Sequence, residues 1–238
     1  MLVLSIVLAG LASLLWPEVP AWRIAGTRST PASSVSFASG PLGCPRAGAT
    51  IAVIGDSHVA GSRVDNGGGE PFGQVFAQAL GGRVAISLHG VGGDTAAMGE
   101  QRWRGRDLPG TDLVILAFGT NDAAPRGWLR EKQPVAIADY AAALSRQIAR
   151  WRARGQTVIL LAPPPGGSRA ITARLQHYRR AARDVGRANA LAVLDPADAF
   201  ASCPASQPVL SRDAVHMNAA GHRCLGLWLA RQFCPAVR

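Results

Sequence analysis

Between Thr50 and Phe233 the hydrophobic positions fall into short apolar runs that alternate with longer stretches of helical spacing. Ile51–Ile54, Arg83–Leu88, Asp112–Phe118, Thr157–Ala162 and Leu191–Leu194 read as strands, and the unbroken Asp-Leu-Val-Ile-Leu-Ala-Phe of 112–118 is the clearest. Pro71–Leu80, Ala136–Arg154, Ile171–Asn189 and Ala219–Gln232 carry their apolar residues at the spacing of a helix face. A strand that is apolar on both sides needs cover on both, and strands that alternate with helices run parallel. The pattern therefore predicts an α/β fold, a three-layer α/β/α sandwich around a five-stranded parallel sheet. No internal repeat or second domain is visible.

The N-terminal end has a different character. Met1 to Trp16 is continuously apolar or small and stops at Pro17-Glu18. That run is short of the roughly 20 residues a bilayer span requires and suits the apolar core of an export signal. Residues 1–26 are expected to be a signal peptide, with an uncleaved membrane anchor as the alternative. Residues 27–47, rich in Ser, Pro, Gly and Ala, read as a linker, and 48–238 as the folded domain.

Composition and charge narrow the picture further. The chain is 238 residues long, 48% hydrophobic and 17% charged, enough for one domain with a sizeable core. Its net charge of +10 comes almost entirely from arginine, Lys132 being the one lysine. The arginines are spread along the chain and do not interleave with aromatics as a nucleic-acid platform would, so no nucleic-acid partner is expected. The four cysteines, Cys44, Cys203, Cys224 and Cys234, form no C-x-x-C pair and fit disulfides in an exported protein. If Ala219–Gln232 is helical, Cys224 and Cys234 lie about 15 Å apart along its axis, too far to bridge. Two pairings remain, Cys44–Cys234 with Cys203–Cys224 or Cys44–Cys224 with Cys203–Cys234, and the first is preferred.

Candidate chemistry gathers where strands end. Gly55-Asp56-Ser57 follows the first strand, Gly93-Asp94-Thr95 the second and Gly119-Thr120-Asn121-Asp122 the third; Asp213-Ala214-Val215-His216 precedes the last helix. Ligands of open parallel sheets collect at these carboxyl ends. Ser57, at a tight turn into an expected helix, is a candidate nucleophile; His216 is its candidate base, with Asp213 orienting the imidazole. The Ser57 N–H, the Gly93 N–H and the Asn121 side-chain amide are candidate oxyanion donors, and glycines at 90 and 92 leave the register of that loop open by one residue. Alone, Ser57 reads equally as a helix cap and Asp213/His216 as a turn and a surface histidine; their company changes that. Asp56 and Asp122 read as structural acceptors, and Thr95 as a helix cap or loop brace. His58 is a rival base without a paired acid. His89 is a pocket-lining candidate, and His177 and His222 are surface or packing residues. Trp103, within Arg102–Leu108, and Trp128, within Arg126–Gln133, are candidates to shape the pocket. No Walker loop occurs, Thr95 breaks a G-x-G-x-x-G, and no three-ligand zinc pattern appears, so no cofactor or metal is expected.

These four motifs, in this order, resemble the SGNH hydrolase superfamily of GDSL-type esterases. The resemblance covers about Thr50 to Phe233 and implies a flavodoxin-like strand order. It also implies acyl-ester hydrolysis through Ser57, His216 and Asp213. A G-x-S-x-G elbow is absent because Val59 holds its last position, which sets the α/β-hydrolase reading aside. Gly-Asp-Ser-His in place of Gly-Asp-Ser-Leu resembles SGNH domains of exported carbohydrate O-acyltransferases and polysaccharide esterases. The expectation is an exported serine esterase acting on small-molecule or carbohydrate acyl esters, O-acetyl groups among them. The alternatives are a carbohydrate O-acyltransferase, a lysophospholipase or thioesterase, and a non-catalytic binding module of the same fold.

Overall fold

The structure is a computed structural model that describes residues 42–64, 68–123 and 133–235. The expected signal or anchor, most of the linker and the loop with Trp128 lie outside the described residues. Five strands, β1 (Ala49–Gly55), β2 (Val84–Gly90), β3 (Leu113–Ala117), β4 (Thr157–Leu161) and β5 (Val193–Leu194), form one parallel sheet in the order β2-β1-β3-β4-β5. This is the expected flavodoxin-like order. The helices are α1 (Phe72–Ala79), α2 (Ala96–Arg102), α3 (Thr120–Ala123), α4 (Ile137–Arg152), α5 (Arg169–Ala188), α6 (Pro196–Ala201) and α7 (Ala219–Phe233).

The two-sided apolar strands explain the three layers. On β3, Leu113 and Ile115 face one core with Phe72, Phe76, Leu225 and Leu229 from α1 and α7. Val114 and Leu116 face the other, with Tyr140, Leu144 and Trp151 from α4 and Leu175 and Val185 from α5. Successive strand residues point to opposite sides, so one five-residue run fills both cores.

Three helices were not expected from the apolar pattern: α2, α3 and α6. All are short, so local caps mark them more clearly than periodicity does. Thr95 caps α2 by accepting the Met98 N–H, and Asp195 caps α6 by accepting the Ala197 N–H ahead of Pro196 in the first turn. The strand expected over Leu191–Leu194 is reduced to Val193–Leu194. Asp195 is buried between Arg179, at 2.7 Å, and Arg183, tying α5 to the end of β5.

The disulfides are Cys44–Cys234 and Cys203–Cys224, the preferred pairing. Cys234 caps the end of α7, so the first bond draws the start of the described chain onto the last helix, where Leu42 N–H also donates to the Gln232 carbonyl at 2.7 Å. Among the described residues no helix is long and apolar enough to cross a membrane.

Candidate active site

β1 delivers the chain to Ser57 through Gly55. A Cβ at Gly55 would stand 2.3 Å from the Ala117 carbonyl oxygen and 2.5 Å from Val59 Cγ2, so only glycine lets the chain turn this close to β3. Beyond it, Asp56 Oδ1 accepts the His58 N–H at 2.9 Å and closes the turn that projects Ser57. The helix expected after Ser57 does not form. Residues 57–63 are a run of tight turns, in which Ala60 N–H donates to the Asp56 carbonyl and Ser62 N–H to the Ser57 carbonyl. Left-handed backbone at Gly61 (φ 72°) and Arg63 (φ 73°) ends any helical path. Among the described residues the next helix begins only at Phe72, so none starts at Ser57 to lend it a dipole.

Ser57 and His216, 159 residues apart, meet across the carboxyl end of the sheet. The Ser57 hydroxyl lies 2.9 Å from His216 Nε2, and His216 Nδ1 lies 2.8 Å from Asp213 Oδ2. With Nδ1 protonated and donating to Asp213, Nε2 is left to accept a hydrogen bond from the Ser57 hydroxyl. Asp213 Oδ1 accepts the backbone N–H groups of Val215 (3.0 Å) and His216 (2.9 Å), which folds the loop back on itself through Ala214 at φ 60°. Burial pushes the Asp213 carboxyl up, but those two N–H donors and the His216 ring outweigh it and hold it below its ordinary value. The loop is braced from outside by Gly167 N–H, which donates to the Ala214 carbonyl at 2.8 Å. Arg63 Nε stands 3.6 Å from Asp213 Oδ2, the same oxygen that His216 Nδ1 meets.

The three expected oxyanion donors sit on the loops after β1, β2 and β3. Gly93 takes φ 84°, a conformation a side chain would strain. Neither its N–H nor that of Ser57 donates to a protein group among the described residues. Asn121, on the one-turn α3, donates through Nδ2 to the Asp94 carbonyl at 3.0 Å, which aims the amide and keeps its second N–H free among the described residues. Sequence reading missed what holds this arrangement. Asp94 is gripped by Arg102 through two bonds of 2.8 and 2.9 Å, and both Asp122 oxygens accept the Ala96 N–H at 3.1 and 3.2 Å. Asp94 and Arg102 are i, i+8, a spacing with no local signature. Burial raises both Asp56 and Asp122 to about 7.

The remaining histidines and Trp103 do different work. His58 is buried, neither ring nitrogen has a hydrogen-bond partner among the described residues, and its ring centroid lies 5.5 Å from that of His216. Burial, with His216 and His222 nearby, lowers His58 to about 3. His89 contacts Ser87 Oγ at 3.0 Å and meets the edge of Trp103. Trp103 itself is buried against Trp151 and packs the core, contrary to its expected place in a pocket wall. His177 is exposed, and His222 is buried, its Nδ1 accepting the Phe72 N–H at 3.2 Å. Among the described residues no group of three His, Cys, Asp or Glu side chains is placed to hold a metal ion.

A five-stranded parallel sheet in flavodoxin-like order, with these polar groups on its carboxyl end, defines the SGNH class of hydrolases. The chain belongs to the GDSL-like lipase/acylhydrolase family, whose model matches residues 53–224. It is similar to the crystal structure of a lipase/acylhydrolase from Enterococcus faecalis, with 26% identity and a TM-score of 0.63 over 77% of this chain and 94% of that one. It is also similar to an α/β hydrolase from the metagenome of Lake Arreo, Spain, with 25% identity and a TM-score of 0.63 over 79% and 96%. An acetylxylan esterase from Geobacillus stearothermophilus shares the fold at 20% identity, with a TM-score of 0.61 over 79% and 96%. Among curated proteins none matches the chain.

Proposed function

We propose that this hydrolase is a cofactor-independent serine esterase in which Ser57 is the nucleophile, His216 the general base and Asp213 its orienting acid. The observation that carries the reading is the continuous hydrogen-bonded path from Ser57 Oγ through His216 to Asp213, at 2.9 and 2.8 Å. Ser57 Oγ attacks the ester carbonyl carbon as its proton passes to His216 Nε2, and Asp213 stabilises the imidazolium. The tetrahedral oxyanion takes hydrogen bonds from the Ser57 and Gly93 N–H groups and the Asn121 amide. Collapse expels the alcohol, which leaves with the proton from His216. Water then repeats the cycle on the acyl-enzyme.

The substrates we infer are short acyl esters of carbohydrate. The Gly-Asp-Ser-His motif and the fold shared with an acetylxylan esterase support that choice. Export fits the apolar N-terminal run and two disulfides, bonds that persist in oxidising compartments. Residues 1–26 would then direct export and 48–238 carry the activity. A fluorophosphonate probe tests the assignment. Labelling of the wild type that disappears in Ser57→Ala is expected, and an unlabelled but folded wild type would overturn it.

A further inference from the structure

Resting on the esterase reading above, we propose that Arg63 and Arg212 form an anion subsite for the alcohol part of the substrate, so that the preferred carrier is an acidic glycan bearing carboxylates. His216 must return its proton to the leaving alcohol, which places the carrier on the His216 side of the scissile bond. Asp213, hydrogen-bonded to that histidine, borders a groove whose other lining residues are Arg63, Leu210, Ser211, Arg212 and Asn218. Its polar side chains are unequally committed. Asn218 Nδ2 donates to the Pro208 and Leu210 carbonyls, and its Oδ1 accepts the Gly221 N–H. Asp213 is occupied by His216 and by two backbone N–H groups.

The two arginines are not committed in this way. Arg63 faces Asp213 only through Nε at 3.6 Å, beyond hydrogen-bond length, and its side chain is 56% exposed. Neither of its Nη groups donates to a protein group among the described residues, and exposed Arg212 has no hydrogen bond or ion pair there. Two guanidinium groups with free donors thus border the groove, Arg212 next to Asp213 in the chain and Arg63 at the end of the turns that follow Ser57. Asp213 is the only acidic side chain bordering it among the described residues. Guanidinium forks match carboxylates bidentately, so a carboxylate on the carrier has partners here that a neutral sugar lacks. Arg63 itself takes φ 73°, a conformation more natural to glycine, within the turn that Val64 N–H closes on the Gly61 carbonyl.

The test compares two substrates with the same acetyl group, an O-acetylated uronic-acid oligosaccharide and its carboxyl-reduced neutral counterpart, using the full chain. The expected kcat/KM favours the acidic ester by about tenfold, mostly through KM, and the preference shrinks as salt is added. In Arg212→Gln the ratio of the two kcat/KM values should fall about three- to tenfold, with Arg212→Lys recovering part of it. Fluorophosphonate labelling is measured alongside. A labelled protein that treats both carriers alike, or hydrolyses neither, overturns the subsite and leaves the serine assignment standing. Absence of labelling overturns the esterase reading and this subsite with it.

Discussion

His58, beside the serine, is a buried imidazole without a hydrogen-bond partner among the described residues, and such a group is expensive to keep. Its pKa is about 3 in the folded chain against an ordinary value of 6.5, so below about pH 6.5 the unfolded chain binds a proton that the folded chain refuses. The stability attached to this group is present above that pH and drains as pH falls toward 3. Asp56 works in the opposite sense: raised to about 7 from 3.8, it favours the folded state most below about pH 3.8 and loses that contribution as pH rises through 7. His58→Leu should therefore be more stable than the wild type, and its advantage should grow by roughly 1 kcal/mol per pH unit on acidification below about pH 6.5. Urea unfolding at about pH 7.5 and 5.5 checks this; a constant difference refutes it. Asn121→Ala should lower kcat about 100- to 1,000-fold with little change in KM, if its amide meets the oxyanion only in the transition state. The residue types were legible in the motifs. The buried bonds that aim them, such as Asn121 to the Asp94 carbonyl, were not, because a side chain's long-range partner leaves no mark on its own neighbourhood.

At the scale of elements, β3 shows how far a local pattern reaches. Its residues alternate between two cores, and Ile115 is fully buried against the α1/α7 side. Ile115→Ala should cost about 2–5 kcal/mol, read as a lowered urea midpoint at unchanged slope. The long helices were legible for the same reason as the strand: each buries one continuous face. α2, α3 and α6 escaped because four to seven residues carry too little periodicity, although Thr95 and Asp195-Pro196 are visible cap signals. After Ser57 the local expectation failed outright. Gly61 and Arg63 turn the backbone left-handed, and turns replace the helix.

For the molecule as a whole, the disulfides join distant parts of the chain, with separations of 190 residues for Cys44–Cys234 and 21 for Cys203–Cys224. Each closes a loop in the unfolded chain and should add about 2–5 kcal/mol, the longer loop contributing more in the chain-entropy account. Unfolding with and without reductant, and of Cys44→Ser/Cys234→Ser against Cys203→Ser/Cys224→Ser, measures both contributions. Equal unfolding curves in the two redox states would remove them from the stability of the protein. By itself the sequence determined the α/β layering, the parallel sheet and the four motif segments, because burial on both faces of a strand and turn chemistry at its end are written in adjacent residues. Only the tertiary structure decided that Ser57 and His216 lie within hydrogen-bond distance, that Trp103 packs in the core, and that Arg63 and Arg212 border one groove. Those relations join residues far apart in the chain, and they exist only once the sheet has twisted and the helices have packed against it.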